Sequence, residues 1–249
     1  MNLVKTDDGV SITLPSGQAL PIRHIVGIGR NNMEHAKEQG AAVPTRPMTF
    51  SKNPASVCLS GDEIVVPKIC QDREQVDFEG ELGFVVGWKN CWTSSSFTKP
   101  DFVRDVPADG ALQCVLGYVV ANDVSARWWQ KEGAGGQFNR GKGFDTFCPI
   151  GPTLIPAREI ADPQNLKLIT TVNGAVMQDS NTKEMIFSIA SLVSDLSRGT
   201  TLLPGTLVLT GTPSGVGMAR TPPVFLKQGD AVEITIEKIG TIRNMVRFE

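Results

Sequence analysis

Val76-Asp77-Phe78-Glu79-Gly80-Glu81-Leu82-Gly83-Phe84-Val85-Val86-Gly87 ends in an apolar run with β-branched and aromatic side chains, so it reads as a strand. Successive strand side chains alternate between faces, which puts Glu79 and Glu81 on one face. Two carboxylates this close repel each other unless something positive lies between them. A hard divalent cation with oxygen ligands suits that place, and so does a merely solvated acidic strand face. Further on, an apolar strand at 115–120 leads into Ala121-Asn122-Asp123-Val124-Ser125-Ala126-Arg127, whose Asp123 offers a third carboxylate.

Working outward, composition narrows the class. A chain of 249 residues forms one large domain, or one with a small appendage, and buries a substantial core. A hydrophobic share of 41% and a charged share of 20% are ordinary for a globular protein. The net charge of −2 gives no electrostatic reason to expect nucleic acid or an anionic membrane as partner. No apolar run reaches the length of a membrane span. Residues 1–8 show neither a signal-peptide core nor an Arg-rich amphipathic segment. The five cysteines are odd in number and scattered, which fits reduced thiols in a cytoplasmic protein better than a disulfide framework or zinc site. Mitochondrial and peroxisomal addresses stay open, although Val246-Arg247-Phe248-Glu249 does not match the common peroxisomal ending.

Residues 10–14 alternate apolar and polar and turn at Pro15-Ser16-Gly17, a hairpin signal within a short preface at 1–20. Residues 22–28 form the first core strand of the domain expected over 21–249. Residues 31–39 read as a short helix with Asn31 or Asn32 as cap and Gly40 as terminator. On it His35 and Glu38 share a face. That pair is either an incidental exposed one or the arrangement of a general base, in which a carboxylate holds the imidazole tautomer. Strand-like pieces follow at 48–50 and 64–66, and 89–107 is a polar surface excursion.

Residues 125–131 read as one or two helical turns. Two glycine patterns imitate nucleotide sites. Gly27-Ile28-Gly29-Arg30-Asn31-Asn32 has Asn32 where a dinucleotide fingerprint needs its third glycine. The spacing of Gly136 to Lys142 matches a P-loop, but Gly143 stands where Ser or Thr must bind magnesium. The stretch 133–143 reads instead as a loop that either brings Lys142 to a site elsewhere or leaves it solvated. Asn173-Gly174 between 166–172 and 175–177 is the strongest hairpin signal, because it suits a type I′ turn. Residues 188–198 form an amphipathic helix with Ile189, Leu192, Val193 and Leu196 inward and Gly199 as the stop. Strand, turn and strand over 201–212 and strands at 231–236 and 241–247 complete a β-rich α+β domain with few helices.

The motifs together resemble the fumarylacetoacetate hydrolase family over 25–246. The likeness rests on Gly29-Arg30-Asn31 with His35 and Glu38, on Asp77-Phe78-Glu79-Gly80-Glu81-Leu82, and on Asn122-Asp123-Val124-Ser125-Ala126-Arg127. It continues through Gly141-Lys142-Gly143-Phe144-Asp145, Val172-Asn173-Gly174 and Thr210-Gly211-Thr212-Pro213-Ser214-Gly215-Val216-Gly217, all in the family's order. The resemblance implies a mixed β-sandwich roll with a few short helices, a homodimer, and a Mg2+ or Mn2+ site. Glu79, Glu81 and Asp123 would be the metal ligands, and His35 with Glu38 the water-activating or proton-transferring dyad. Lys142 would assist catalysis, and Arg30, Gln130 and Thr212 would line the substrate site.

The implied chemistry is consistent with the residues. Three carboxylates and one divalent cation leave a single negative charge, which Lys142 would cancel. Magnesium takes about six oxygens, so positions remain for the carboxylate and keto oxygens of a 2-oxo (β-dicarbonyl) acid. The metal would stabilise its enolate, with Lys142 and the Thr212 hydroxyl as further donors. From the enolate, water attack on a second carbonyl makes an acylpyruvate- or fumarylacetoacetate-type C–C hydrolase, the reading preferred here. Proton movement alone makes an oxaloacetate tautomerase or a 2-hydroxymuconate-type isomerase, and loss of carbon dioxide makes a decarboxylase. A non-catalytic metal-binding scaffold is the alternative from another class, and a nucleotide-binding protein a more distant one. Two departures bear on the substrate: Asn32 where the family usually has tyrosine, and Trp128 where it has aspartate. The first would strip a hydroxyl and an aromatic face from the pocket wall; the second adds bulk near Gln130 or packs into the core.

Overall fold

In the computed structural model, which describes residues 1–38, 40, 42–89, 91–92 and 102–249, two mixed sheets pack face to face. The larger runs in the order Met48–Lys52, His24–Gly29, Thr206–Leu209, Gly80–Val86, Val115–Asn122, Cys148–Pro156, Val57–Leu59. The smaller runs Ala175–Asn181, Lys167–Val172, Ala231–Ile236, Gly240–Phe248, Glu63–Val66. Most neighbours are antiparallel, with parallel pairs at Thr206–Leu209 on His24–Gly29 and at two sheet edges. The expected β-rich sandwich is therefore present.

Alternation explains the packing. Leu82, Phe84 and Val86 point with Tyr118 and Val120 into the core shared with Leu168, Val232, Ile234 and Ile242 of the smaller sheet. Val85, Leu116 and Val119 point the other way, into a second core with Val10, Ile12 and Leu14. Val10 and Ile12 belong to a three-stranded N-terminal sheet, Leu3–Thr6, Gly9–Thr13, Ala19–Pro21, and Leu14 directly follows its second strand. The central strands are buried on both faces, which is why they read as unbroken apolar runs.

The 173–174 turn has both residues at positive φ, 51° and 80°, as a type I′ turn requires. Helix Ile189–Ser197 starts on Ser188, whose hydroxyl accepts the Ser191 N–H, and Gly199 follows it at φ 63°. The strand expected at 201–203 shrinks to one bridge, Leu202 with Val103. The helical turns expected at 125–131 divide into a short strand, Ser125–Ala126, and the helix Arg127–Gln130. Helix Met33–Glu38 is capped by Asn32, whose side chain accepts the His35 N–H. Its expected last residue, Gln39, and most of the 89–107 excursion lie outside the described residues.

Candidate active site

The opening stretch is not one strand. Val76–Asp77 pairs with Ser125–Ala126, whereas Gly80–Val86 belongs to the large sheet, so Phe78 and Glu79 form a crossing between two sheets. The break has a cause. The Phe78 N–H turns back to the Asp77 carboxylate at 2.9 Å, and the Gly80 N–H leaves for Gln178 Oε1 at 2.9 Å. A Cβ on Gly80 would collide with the Thr170 hydroxyl.

Register then assembles the carboxylates. Asn122 pairs with Gly80 and Ala121 with Glu81, and the Asp123 N–H bonds the Glu79 carbonyl at 2.9 Å. Asn122 Oδ1 accepts the Glu79 N–H at 3.0 Å, which holds the crossing in place. As a result Glu79, Glu81 and Asp123, all buried, have oxygens within 4.8 Å of one another. A cation with bonds of about 2.0–2.6 Å to oxygen bridges such a spread with little movement. The donor set is all oxygen and anionic, which suits magnesium or manganese.

Lysine and arginine surround the cluster. Lys142 Nζ donates to Glu79 Oε2 at 2.8 Å, Asp123 Oδ2 at 2.6 Å and the Ser125 hydroxyl at 2.7 Å. It ends a short helix, Phe138–Lys142, and is fully buried, which corrects the solvated-loop alternative. That helix lies flush on Arg127–Gln130 because Gly141 carries no Cβ against the Gln130 backbone. Lys52, which the sequence reading missed, is equally buried. Its Nζ donates to Asp123 Oδ1 at 2.6 Å and to the Phe147 carbonyl at 2.9 Å. Arg127 grips Asp77 Oδ2 through Nε and Nη2 at 2.8 and 2.6 Å, and its Nη1 lies 2.7 Å from Glu79 Oε1.

Asp77 also accepts the N–H groups of Gly217 and Met218, so the 210–217 motif is tied to the crossing. The expected neutral site is revised accordingly. Four buried carboxylates face three cations, and a divalent ion makes the whole formally +1, a balance that favours an anionic substrate.

Among the described residues Glu81 has no ion-pair partner; its Oε2 accepts the Gly211 N–H at 2.6 Å. Burial, with Asp123 and Glu79 alongside, holds its carboxyl well above the usual range. Burial alone would also raise Glu79, but Lys142 and Arg127 hold it down at about 2. Burial opposes charge on Lys142 as well, yet Asp123 and Glu79 keep its pKa raised.

A pH effect follows. Between its ordinary value of 4.5 and its raised one, folded Glu81 holds a proton that the unfolded chain has lost. The stability of the metal-free protein therefore falls as pH rises through that window. Glu79 acts oppositely: its contribution is present above 4.5 and lost as pH falls toward about 2. A divalent cation competes with the Glu81 proton, so the rise in Tm on adding magnesium should be larger at about pH 8 than at about pH 5.5. Differential scanning calorimetry at both values checks this, and equal shifts would contradict it.

A cavity of about 460 Å³ opens onto this cluster. Arg30, His35, Glu38, Glu79, Gln130, Lys142 and Thr212 all line it, while Glu81 and Asp123 lie behind. His35 is buried while Glu38 is exposed, which corrects the exposed-pair alternative for the histidine alone, and the His35 Nδ1 lies 3.0 Å from Glu38 Oε2. Glu38 Oε1 accepts the Gly215 N–H at 2.9 Å. Burial pushes Glu38 up, but the bonds from His35 and Gly215 more than offset it and leave its pKa lowered.

Gln130 Oε1 accepts from Arg127 Nη1 at 3.0 Å, so its amide nitrogen is the end left to donate. The Thr212 hydroxyl differs from the free donor expected, because its hydrogen goes to the Gly80 carbonyl at 3.1 Å. Asn32, as a helix cap, is not part of the cavity wall. Trp128 is half-buried outside the cavity, edge-on to Trp129 and 4.4 Å beneath the Arg73 guanidinium.

The fumarylacetoacetate (FAA) hydrolase C-terminal family matches residues 24–247. Human oxaloacetate tautomerase FAHD2A, mitochondrial, is 44% identical over 222 residues, covering 89% of this chain and 66% of its own length. The chain thus spans just under two thirds of that relative. A 2,4-didehydro-3-deoxy-L-rhamnonate hydrolase from Sphingomonas sp. (strain SKA58) is 43% identical over 249 residues, covering 97% of this chain and 81% of its own. Fumarylpyruvate hydrolase from Pseudomonas aeruginosa, solved in complex with Mn2+ and pyruvate, is 30% identical with a TM-score of 0.81 and full coverage of both chains. In sequence and in fold, the chain belongs to the fumarylacetoacetate hydrolase family.

Proposed function

We propose that this chain is a divalent-cation-dependent enzyme that enolises 2-oxo (β-dicarbonyl) acids and hydrolyses a carbon–carbon bond of the acylpyruvate or fumarylacetoacetate type. The observation that carries this reading is the meeting, at one cavity, of the carboxylate cluster, Lys142 and the His35–Glu38 pair. Glu79, Glu81 and Asp123 would hold Mg2+ or Mn2+, and the bound ion would supply several kcal/mol of stabilisation to an oxyanion beside it. Lys142 adds a fixed positive charge at the same end. Arg30, Gln130 and Thr212 border the substrate, with the Gln130 amide as donor. Glu38 accepts the Nδ1 hydrogen of His35, which leaves the Nε2 lone pair to take a proton.

If that proton comes from water, hydroxide adds to the second carbonyl, the carbon–carbon bond breaks, and the departing enolate carbon takes a proton. If it comes from the carbon beside the keto group, the product is only the enol tautomer. The tautomerase reading is favoured by the human relative's name, and the hydrolase reading by the Sphingomonas and Pseudomonas proteins.

Incubation with oxaloacetate, acetylpyruvate and fumarylacetoacetate, with and without Mg2+ or Mn2+, separates the readings. Carboxylic-acid products followed by chromatography mark hydrolysis; a change in enol absorbance alone marks tautomerisation. No conversion of any of them with either metal would leave the metal-binding scaffold as the better account.

A homodimer is the proposed assembly, to be tested by light scattering. The five cysteines are free and buried and fit a reducing compartment. The cytoplasm is our proposal, although the human relative is mitochondrial by name. Among the described residues no helix is long and apolar enough to cross a membrane.

A further inference from the structure

Gly80 stands between two of the three carboxylates, and both of its polar backbone groups are held by side chains from distant parts of the chain. Its N–H donates to Gln178 Oε1 at 2.9 Å, and its carbonyl accepts the Thr212 hydroxyl at 3.1 Å. The two side chains are themselves joined. Gln178 Nε2 donates to Thr212 Oγ1 at 2.8 Å and to the Pro213 carbonyl at 3.0 Å. This amide can sit only one way round. A backbone N–H only donates and a backbone carbonyl only accepts, so the oxygen faces Gly80 and the nitrogen faces Pro213. With an amide hydrogen already on its oxygen, the Thr212 hydroxyl sends its own hydrogen to Gly80.

Gln178 reaches this point through a distortion of its strand. Thr170 pairs with Gln178 but Thr171 pairs with Val176, which leaves Met177 as the extra residue of a bulge. The Met177 carbonyl accepts from Arg220 Nη2, and Gly215 packs against it where a Cβ would collide. Gln178 is thereby turned inward and buried, while Asp179 beyond it is exposed. A buried amide with its oxygen and both hydrogens engaged is a rigid support.

We infer that Gln178 is a positioning residue: with Thr212 it clamps the peptide groups on either side of Gly80, and so sets how Glu79 and Glu81 are held relative to each other for the divalent cation. This rests on the proposed reading of the carboxylate cluster as the cation site, and the test keeps the two apart. The clamp acts through the backbone. The dihedral angles of Gly80 decide the relative placing of its two neighbours, and a glycine does not restrict those angles by itself.

Mn2+ affinity is measured by titration calorimetry on the full chain, and metal-free Tm by scanning calorimetry, for Gln178→Met, Thr212→Val and the double variant. Loss of an outer hydrogen-bonding partner at a metal site costs tenfold to a hundredfold in affinity, so Gln178→Met should bind Mn2+ about tenfold more weakly. Thr212→Val removes one hydrogen bond of the clamp and should weaken binding about threefold. A hydroxyl that only lined the substrate site would leave Mn2+ affinity unchanged. Because the two residues share Gly80, the double variant should lose less than the product of the single losses. Thr170→Val is the control. Its hydroxyl also faces Gly80 but has no hydrogen-bond partner among the described residues, so Mn2+ affinity should hold. Unchanged Mn2+ affinity in Gln178→Met, whatever its Tm, would make Gln178 a packing residue and overturn the inference. So would single losses that simply multiply, or an equal loss in Thr170→Val. If Gln178→Met does not fold, Thr212→Val decides alone, and unchanged affinity there overturns the inference. A wild type that binds no Mn2+ would overturn the cluster reading as well.

Discussion

Replacing Glu81 by glutamine is expected to remove divalent-cation binding while leaving the metal-free protein at least as stable as the wild type. The two halves have one cause. Glu81 is buried beside Asp123 and Glu79, and among the described residues no cation pairs with it. Its charge is the costly member of the cluster until a metal arrives. The Gly211 N–H, 2.6 Å from Oε2, needs an acceptor and would claim the amide oxygen of a glutamine. The amide nitrogen, which has no lone pair to offer, would then point at the ion.

Loss of a metal's neighbouring support typically costs tenfold to a hundredfold in affinity, so loss of a ligand should cost at least about a hundredfold. Removal of several kcal/mol of oxyanion stabilisation should lower kcat/KM by about a thousandfold. Calorimetry should show the magnesium-dependent rise in Tm abolished and the metal-free Tm unchanged or higher. A variant that is destabilised without metal, yet still binds it, would mean that Glu81 serves packing and not coordination.

How much of this was legible in advance depended on distance along the chain. Glu79, Glu81 and Asp123 could be picked out because the motifs around them are local signals that carry the family resemblance, whereas strand alternation fails at Glu79, which lies outside the strand Gly80–Val86. Their convergence is a consequence of one register, Asn122 on Gly80. The break at Phe78 was not legible, because it depends on Gln178 and Thr170 in the other sheet.

Lys52 was missed for the same reason. It closes a short strand of alternating exposure, and nothing nearby shows that its amine reaches a carboxylate 71 residues away. Arg127 was visible as part of a motif but silent about its task, since its partner Asp77 is 50 residues upstream. Asn32 and Trp128 looked like changes to the pocket. One proves to be a helix cap and the other part of an outer aromatic stack, so neither departure reaches the cavity wall. Side-chain identity marks a candidate, but only packing says which side of the wall it stands on.

His35→Ala should separate proton transfer from metal binding. The imidazole meets Glu38 through Nδ1 and borders the cavity, and neither residue belongs to the carboxylate cluster. A positioned acid–base group is worth about 10² to 10⁴ in rate, so kcat should fall by that factor. Affinity for Mg2+ and for oxalate should fall far less than kcat, because His35 contributes no ligand atom to the carboxylate cluster.

Glu38→Gln refines the test. A glutamine oxygen can still accept the Nδ1 hydrogen and keep the tautomer, but it withdraws the negative charge that favours a protonated ring. Its loss of kcat should therefore be the smaller of the two, although its amide nitrogen would then face the Gly215 N–H and that contact should be lost. Magnesium and oxalate affinities that collapse together with kcat in His35→Ala would make the histidine a structural prop of the cavity. If kcat alone falls, and falls further in His35→Ala than in Glu38→Gln, the order follows directly from which atom carries the proton.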